Sequence, residues 1–127
     1  MATRIFILLN LFLILSCVSE TSQDPNKLIV NTWKLTEFTP APQFTMPDSV
    51  RQEIIAKTVV EFAADKKFKQ TGIGRTHTGT YNISKDGKQI TYYHDQKDVP
   101  FTETVLELTS KRMSVVDQNG NRMVRKN

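Results

Sequence analysis

The side chains that could do chemistry in this chain gather around one tetrapeptide, Lys85-Asp86-Gly87-Lys88. Glycine tolerates the positive φ of a tight hairpin turn, so the segments on either side are expected to pair. Pairing about Asp86-Gly87 sets Ile83 opposite Ile90, Tyr81 opposite Tyr92 and Gly79 opposite His94, and alternation brings His77 to the same face. Two imidazoles and two phenols on an otherwise apolar face can orient a mostly apolar guest in a pocket. The competing reading is a pair of histidines at a wet rim with no ligand. A metal reading is thin, because no Cys or carboxylate accompanies the two histidines on that face. Trp33, near the start of the first strand, either plugs one end of the fold or touches a guest. The residues offered for ligand binding are thus Trp33, His77, Tyr81, Tyr92 and His94, with no cofactor expected.

Catalytic chemistry finds little support. Acid–base work needs carboxylates that face each other in a cleft. Glu61, Glu103 and Glu107 alternate with apolar neighbours and are expected to point outward. A nucleophile would need a Ser or Cys beside a His, and no Gly-x-Ser-x-Gly occurs. Gly72-Ile73-Gly74 lacks the strand-to-helix setting of a phosphate loop. The expectation is a protein that is not an enzyme.

The single cysteine carries a different chemistry. Arg4 opens the chain's basic start, Ile5 to Leu15 is apolar apart from Asn10, and Ser16 precedes Cys17. These are the parts of an export leader, and the run is too short for a comfortable crossing of about 30 Å of hydrocarbon. A polar stretch, Ser19 to Asn26, follows. A lone cysteine in an exported chain asks for an explanation. Ile14-Leu15-Ser16-Cys17 resembles the lipobox of bacterial lipoproteins, with Leu15 in place of the usual small residue. That resemblance implies a lipid on Cys17, cleavage before it, and stable anchoring by several acyl chains. Ordinary cleavage after Ser19 and an uncleaved anchor are the alternatives.

These groups need a scaffold, and the rest of the chain supplies the signals for one. At 127 residues there is room for one domain. Of 17 Lys and Arg residues one, Arg4, lies in the leader, which leaves 16 against 13 Asp and Glu. The basic residues are scattered among acids, so nucleic acid is not an expected partner. Short alternating stretches recur with turn signals between them, the pattern of an all-β barrel or sandwich. Strands are expected near 31–38, 58–64, 67–72, 77–84, 88–94, 102–108, 111–117 and 121–126, with Asn119-Gly120 marking the last turn. After the Pro-rich 40–47 connection, Asp48 or Ser49 is expected to cap a short helix over 50–57 that covers one barrel mouth. Val50, Ile54 and Ile55 should face its buried side. Alternation points Trp33, Leu35, Phe62, Phe68, Tyr81, Ile83, Ile90, Tyr92, Leu106, Leu108, Met113, Val115 and Val124 inward.

Four segments also resemble, in order, the small lipocalin-like domains of exported proteins from Bacteroidetes-type bacteria. They are Leu28 to Leu35, with Asn31 where glycine is usual; Glu61 to Phe68, with Lys66 where the turn has glycine; Gly79 to Ile90; and Leu106 to Met113. The resemblance covers roughly residues 27–127 and implies an antiparallel up-and-down lipocalin-like barrel of about eight strands, with no catalytic residues to carry over. The expected organisation is a signal peptide over 1–16, a lipidated Cys17 with a tether over 17–26, and the barrel over 27–127. Such a protein would sit in the cell envelope, held at the membrane by its lipid, and bind a small apolar or amphipathic ligand. The alternative is an accessory or inhibitor-like barrel with a filled core, whose protein partner is unknown.

Overall fold

Four left-handed turn residues organise the meander. Gly74 has φ 64°, Gly87 has φ 71°, Gly120 has φ 87°, and Lys66 has φ 69° without being glycine. The computed structural model describes residues 23–127, so the leader, Cys17 and the first part of the tether lie outside the described residues. Eight strands follow one another: β1 (Asn31–Thr39), β2 (Val59–Phe62), β3 (Lys67–Gly72), β4 (Arg75–Ile83), β5 (Gln89–His94), β6 (Phe101–Leu108), β7 (Arg112–Asp117) and β8 (Arg122–Lys126). Each pairs antiparallel with its sequence neighbour, and β1 also pairs with β8, so the sheet closes into a barrel. Closure leaves no unpaired strand edge.

The hairpin about Asp86-Gly87 has the expected register: Gly79 faces His94, Tyr81 faces Tyr92 and Ile83 faces Ile90. At the Asp65-Lys66 turn a side chain in the left-handed region costs roughly 1–2 kcal/mol. Two contacts offset that cost: Lys66 Nζ donates to Asn26 Oδ1 and lies 5.5 Å from the centroid of the Tyr81 ring.

Two helices cover the ends. The one-turn α1 (Pro25–Leu28) was not expected, because Pro25 and Asn26 read as tether. Asp24 nevertheless caps it, accepting from Asn26 N at 3.0 Å, with proline at the first helical position. Trp33 is fully buried above it and donates from Nε1 to the carbonyl of Ile29 at 2.9 Å. This end, which also carries the β2–β3, β4–β5 and β6–β7 turns, is the floor. The longer α2 (Asp48–Lys57) lies at the opposite end, the mouth, against β1 and β3. Pro47 stands at its N-cap with no side-chain cap, and Asp48 instead accepts from Arg51 Nε at 3.1 Å. No residue of α2 is fully buried: Val50 is exposed, while Ile54 and Ile55 are half-buried.

Bulges interrupt the alternation in β6 and β1, while β8 alternates with the opposite phase from the one expected, and these departures decide what lies inside. In β6 Val105 pairs with Val115 but Glu107 pairs with Ser114, which leaves Leu106 as an extra residue in a β-bulge. Leu106, expected inside, is 55% exposed, and Leu108 only flanks the core. Val105 and Glu103 take the inward positions; Glu103, expected outside, is 2% exposed. Its direct partner Ile90 is an inward residue, and directly opposed residues share a face. In β8 Arg125 pairs with Leu35 and with Met113, both inward, so Arg125 is buried and its neighbour Val124 is turned outward and half-buried. A second bulge in β1 lies between Leu35 and Glu37, where Thr36 is the extra residue.

Candidate functional site at the barrel mouth

The floor half of the interior is packed. Phe62 meets Tyr81 edge-on at 4.8 Å, and Phe68 meets Tyr92 edge-on at 5.1 Å between ring centroids. Above these rings a cavity of about 290 Å³ opens under α2. Its apolar wall comes from Leu35, Phe38, Ile54, Phe101 and Met123. Its polar side comes from His77, His94, Tyr92, Glu103 and Arg125, with Gln70, Lys97 and Asp117 toward the rim.

Glu103 and Arg125 form a buried fork. Arg125 Nη1 donates to Glu103 Oε1 at 2.9 Å and Nη2 to Oε2 at 2.7 Å. The Tyr92 hydroxyl donates to the same Oε1. Burial works against the Arg125 charge, but the Glu103 carboxylate outweighs it and holds the guanidinium protonated beyond its usual range. Burial, and then the Glu103 charge, push the Tyr92 phenol well above the ordinary tyrosine value, so it stays a neutral donor. The remaining donor of the guanidinium, Arg125 Nε, has no partner among the described residues.

The two histidines are neighbours, with ring centroids 5.6 Å apart and edges turned to faces. Phe68 supports the His94 ring at 5.3 Å. Burial, followed by the Lys97 and His77 charges, lowers the His94 pKa and keeps its imidazole neutral near pH 7. Its Nδ1 is buried and unpartnered among the described residues. Among the described residues no three His, Cys, Asp or Glu side chains gather closely enough to hold a metal. Gly79 makes this packing feasible: a Cβ there would lie 2.0 Å from the Tyr93 carbonyl oxygen.

A model of the lipocalin-like domain matches residues 29–115, from the approach to β1 through most of β7. The chain belongs to the lipocalin-like domain family. Solved structures agree on the fold of this lipocalin-like chain. A DUF4847 family protein from Bacteroides vulgatus is 12% identical with a TM-score of 0.53, and the match covers 78% of this chain and 93% of that one. A protein from Bacteroides uniformis is 26% identical with a TM-score of 0.53, over 80% of this chain and 90% of that one. No curated protein matches the chain.

Of the five residues offered from the sequence, the lipocalin-like barrel brings three, His77, Tyr92 and His94, to one cavity. Trp33 and Tyr81 lie outside that lining. Trp33 closes the floor, and the Tyr81 hydroxyl donates to the Ala63 carbonyl at 2.8 Å. Burial, then the Asp65 charge, raise the Tyr81 pKa. The residues the sequence reading missed are Glu103 and Arg125. The one signal that could have found them is their opposite charge at positions opposed to inward residues, which needs the cross-strand register to read.

Proposed function

We propose that this chain is a lipid-anchored lipocalin-like protein of the cell envelope that holds one small amphipathic molecule in its mouth cavity. The observation that carries this reading is the make-up of that cavity. An aliphatic and aromatic wall faces a polar side on which two buried nitrogens, His94 Nδ1 and Arg125 Nε, have no partner among the described residues. A buried polar atom left unpaired costs about 1–3 kcal/mol, so a guest that pairs with either nitrogen gains that difference. The volume of about 290 Å³ lies at the lower edge of the range for small-molecule sites and suits a compact guest. The anchoring part of the proposal rests on Cys17 at the end of the apolar leader.

Native mass spectrometry of the full chain extracted from membranes tests the binding reading. A retained small molecule is expected, and it should be lost when Ile54→Trp fills the cavity from α2. Absence of both a retained mass and uptake of an apolar probe dye would sink it. Cys17→Ser tests the anchor separately: the variant should leave the membrane fraction or keep its leader.

A further inference from the structure

The two ends of the barrel differ in charge. At the mouth, Asp48 pairs with Arg51, Glu53 pairs with Lys57, and Asp95 and Asp98 flank Lys97. At the floor, Lys27, Lys85, Lys88, Lys111 and Lys126 are exposed, and none joins an ion pair among the described residues. The acids of this end have partners of their own: Asp24 accepts from Asn26 N, Asp86 accepts from Lys88 N at 3.0 Å, Asp65 lies 3.9 Å from Lys67, and Glu107, which lines the groove with Asp86, lies 3.4 Å from Arg112. Between Lys85 and Lys88 on one side and β6 on the other runs an open groove of about 580 Å³. Its apolar surface comes from Pro25, Leu28, Leu106 and Leu108, and Gln23, the first described residue, also lines it. The β6 bulge is what turns Leu106 outward here.

We infer that the floor is a contact surface for anionic lipid headgroups and that it sets the barrel on the membrane with its mouth facing away. The inference rests on the anchoring reading of Cys17. Seven residues lie between Cys17 and Pro25, and the eight Cα steps from one to the other span at most about 30 Å even when fully extended. The floor is therefore held near whatever surface carries the lipid, and the lysines act on that surface once they come within a Debye length of about 8 Å. Lysines edging a leucine-lined groove match the bilayer interface, where phosphates meet the start of the acyl region. The balanced charges of the mouth give that end no comparable attraction.

Residues 23–127 contain all eight strands of the closed barrel and the core packed within it, so this segment can be tested without Cys17, independently of whether the lipid reading holds. It should co-sediment with vesicles of phosphatidylcholine and phosphatidylglycerol, not with phosphatidylcholine alone, and detach as salt is raised. Each floor lysine near the surface contributes about fivefold. The triple variant Lys85→Gln, Lys88→Gln, Lys111→Gln should therefore bind about a hundredfold more weakly. The mouth-end variant Arg75→Gln should bind as the parent does. No binding to anionic vesicles at low salt would overturn the inference, and so would equal loss from floor and mouth variants. Binding by residues 23–127 that disappears when residues 18–22 are restored would assign the groove to the chain's own segment and would also overturn it. A Cys17→Ser chain whose leader is cut and whose membrane retention equals the parent's would remove the anchor while leaving the vesicle result to stand or fall by itself.

Discussion

Arg125→Met isolates the energetics of the buried fork. The substitution keeps the volume of the stem and removes the cation, which leaves the Glu103 carboxylate at 2% exposure with only the Tyr92 hydroxyl as a charge-assisted partner. Removing one member of a buried pair costs about 3–5 kcal/mol, because the uncompensated charge stays buried. That is a large share of the roughly 5–15 kcal/mol by which domains are stable. With a urea slope of about 1–3 kcal/mol per molar, the unfolding midpoint should fall by roughly 2 M. The double variant Glu103→Leu, Arg125→Met should recover most of the loss, since two apolar groups in a dry site need no compensation. Urea titrations of the three proteins decide the matter. A single variant within about 1 kcal/mol of the parent, or a double variant as weak as the single, refutes the view that an isolated carboxylate is the source of the cost.

Tyr92→Phe removes a donor to a buried carboxylate, so urea titration should show a loss of about 1.5–3 kcal/mol. An unchanged midpoint with weaker uptake of an apolar probe would instead make the hydroxyl a group reserved for the guest. Gly79→Ala should be among the most damaging small substitutions, because the new Cβ meets the Tyr93 carbonyl carbon and oxygen, and backbone cannot swing aside as a side-chain tip can; a melting temperature equal to the parent's would contradict the close strand approach. The depressed His94 pKa implies stability that is fully present above the unfolded value of about 6.5 and declines as pH falls through the lower folded value. Thermal melts across that range should show the decline in the parent and a flatter profile in His94→Gln.

What was legible in the sequence was local. Asp86-Gly87 and Asn119-Gly120 mark turns through backbone conformations that few residues besides glycine adopt readily, and the turn then fixes the register of Tyr81 against Tyr92. The lipocalin-like barrel follows once such hairpins are chained. What was not legible depends on partners distant in sequence. Nothing around Leu106 announces a bulge, because the bulge exists only relative to β7, and strict alternation therefore assigned Glu103 to solvent. Arg125 sits in a basic tail that reads as a guarded strand edge, yet the barrel has no edge there because β1 covers it. The polar half of the candidate site is thus a product of tertiary pairing, whereas His77 and His94 followed from one hairpin.

Pairing of the first strand with the last has a kinetic consequence. Lys34 finds its partner in Lys126, so sealing the barrel closes a loop spanning most of the domain, whereas every sequential pair except β1–β2 closes through six residues or fewer. Contacts that far apart along the chain slow folding, since the entropy of closure comes due before the ladder rewards it. The same pairing brings the start of β1 and the end of β8 to one end of the barrel, so a short linker could join them. New termini could then be opened at Ile73-Gly74, a turn where an added Cβ on Gly74 would meet nothing within 4 Å. Such a circular permutant turns the sealing ladder into an ordinary hairpin. In stopped-flow refolding it should reach the closed state faster than the natural order of strands, and equal rates would show that sealing does not limit folding.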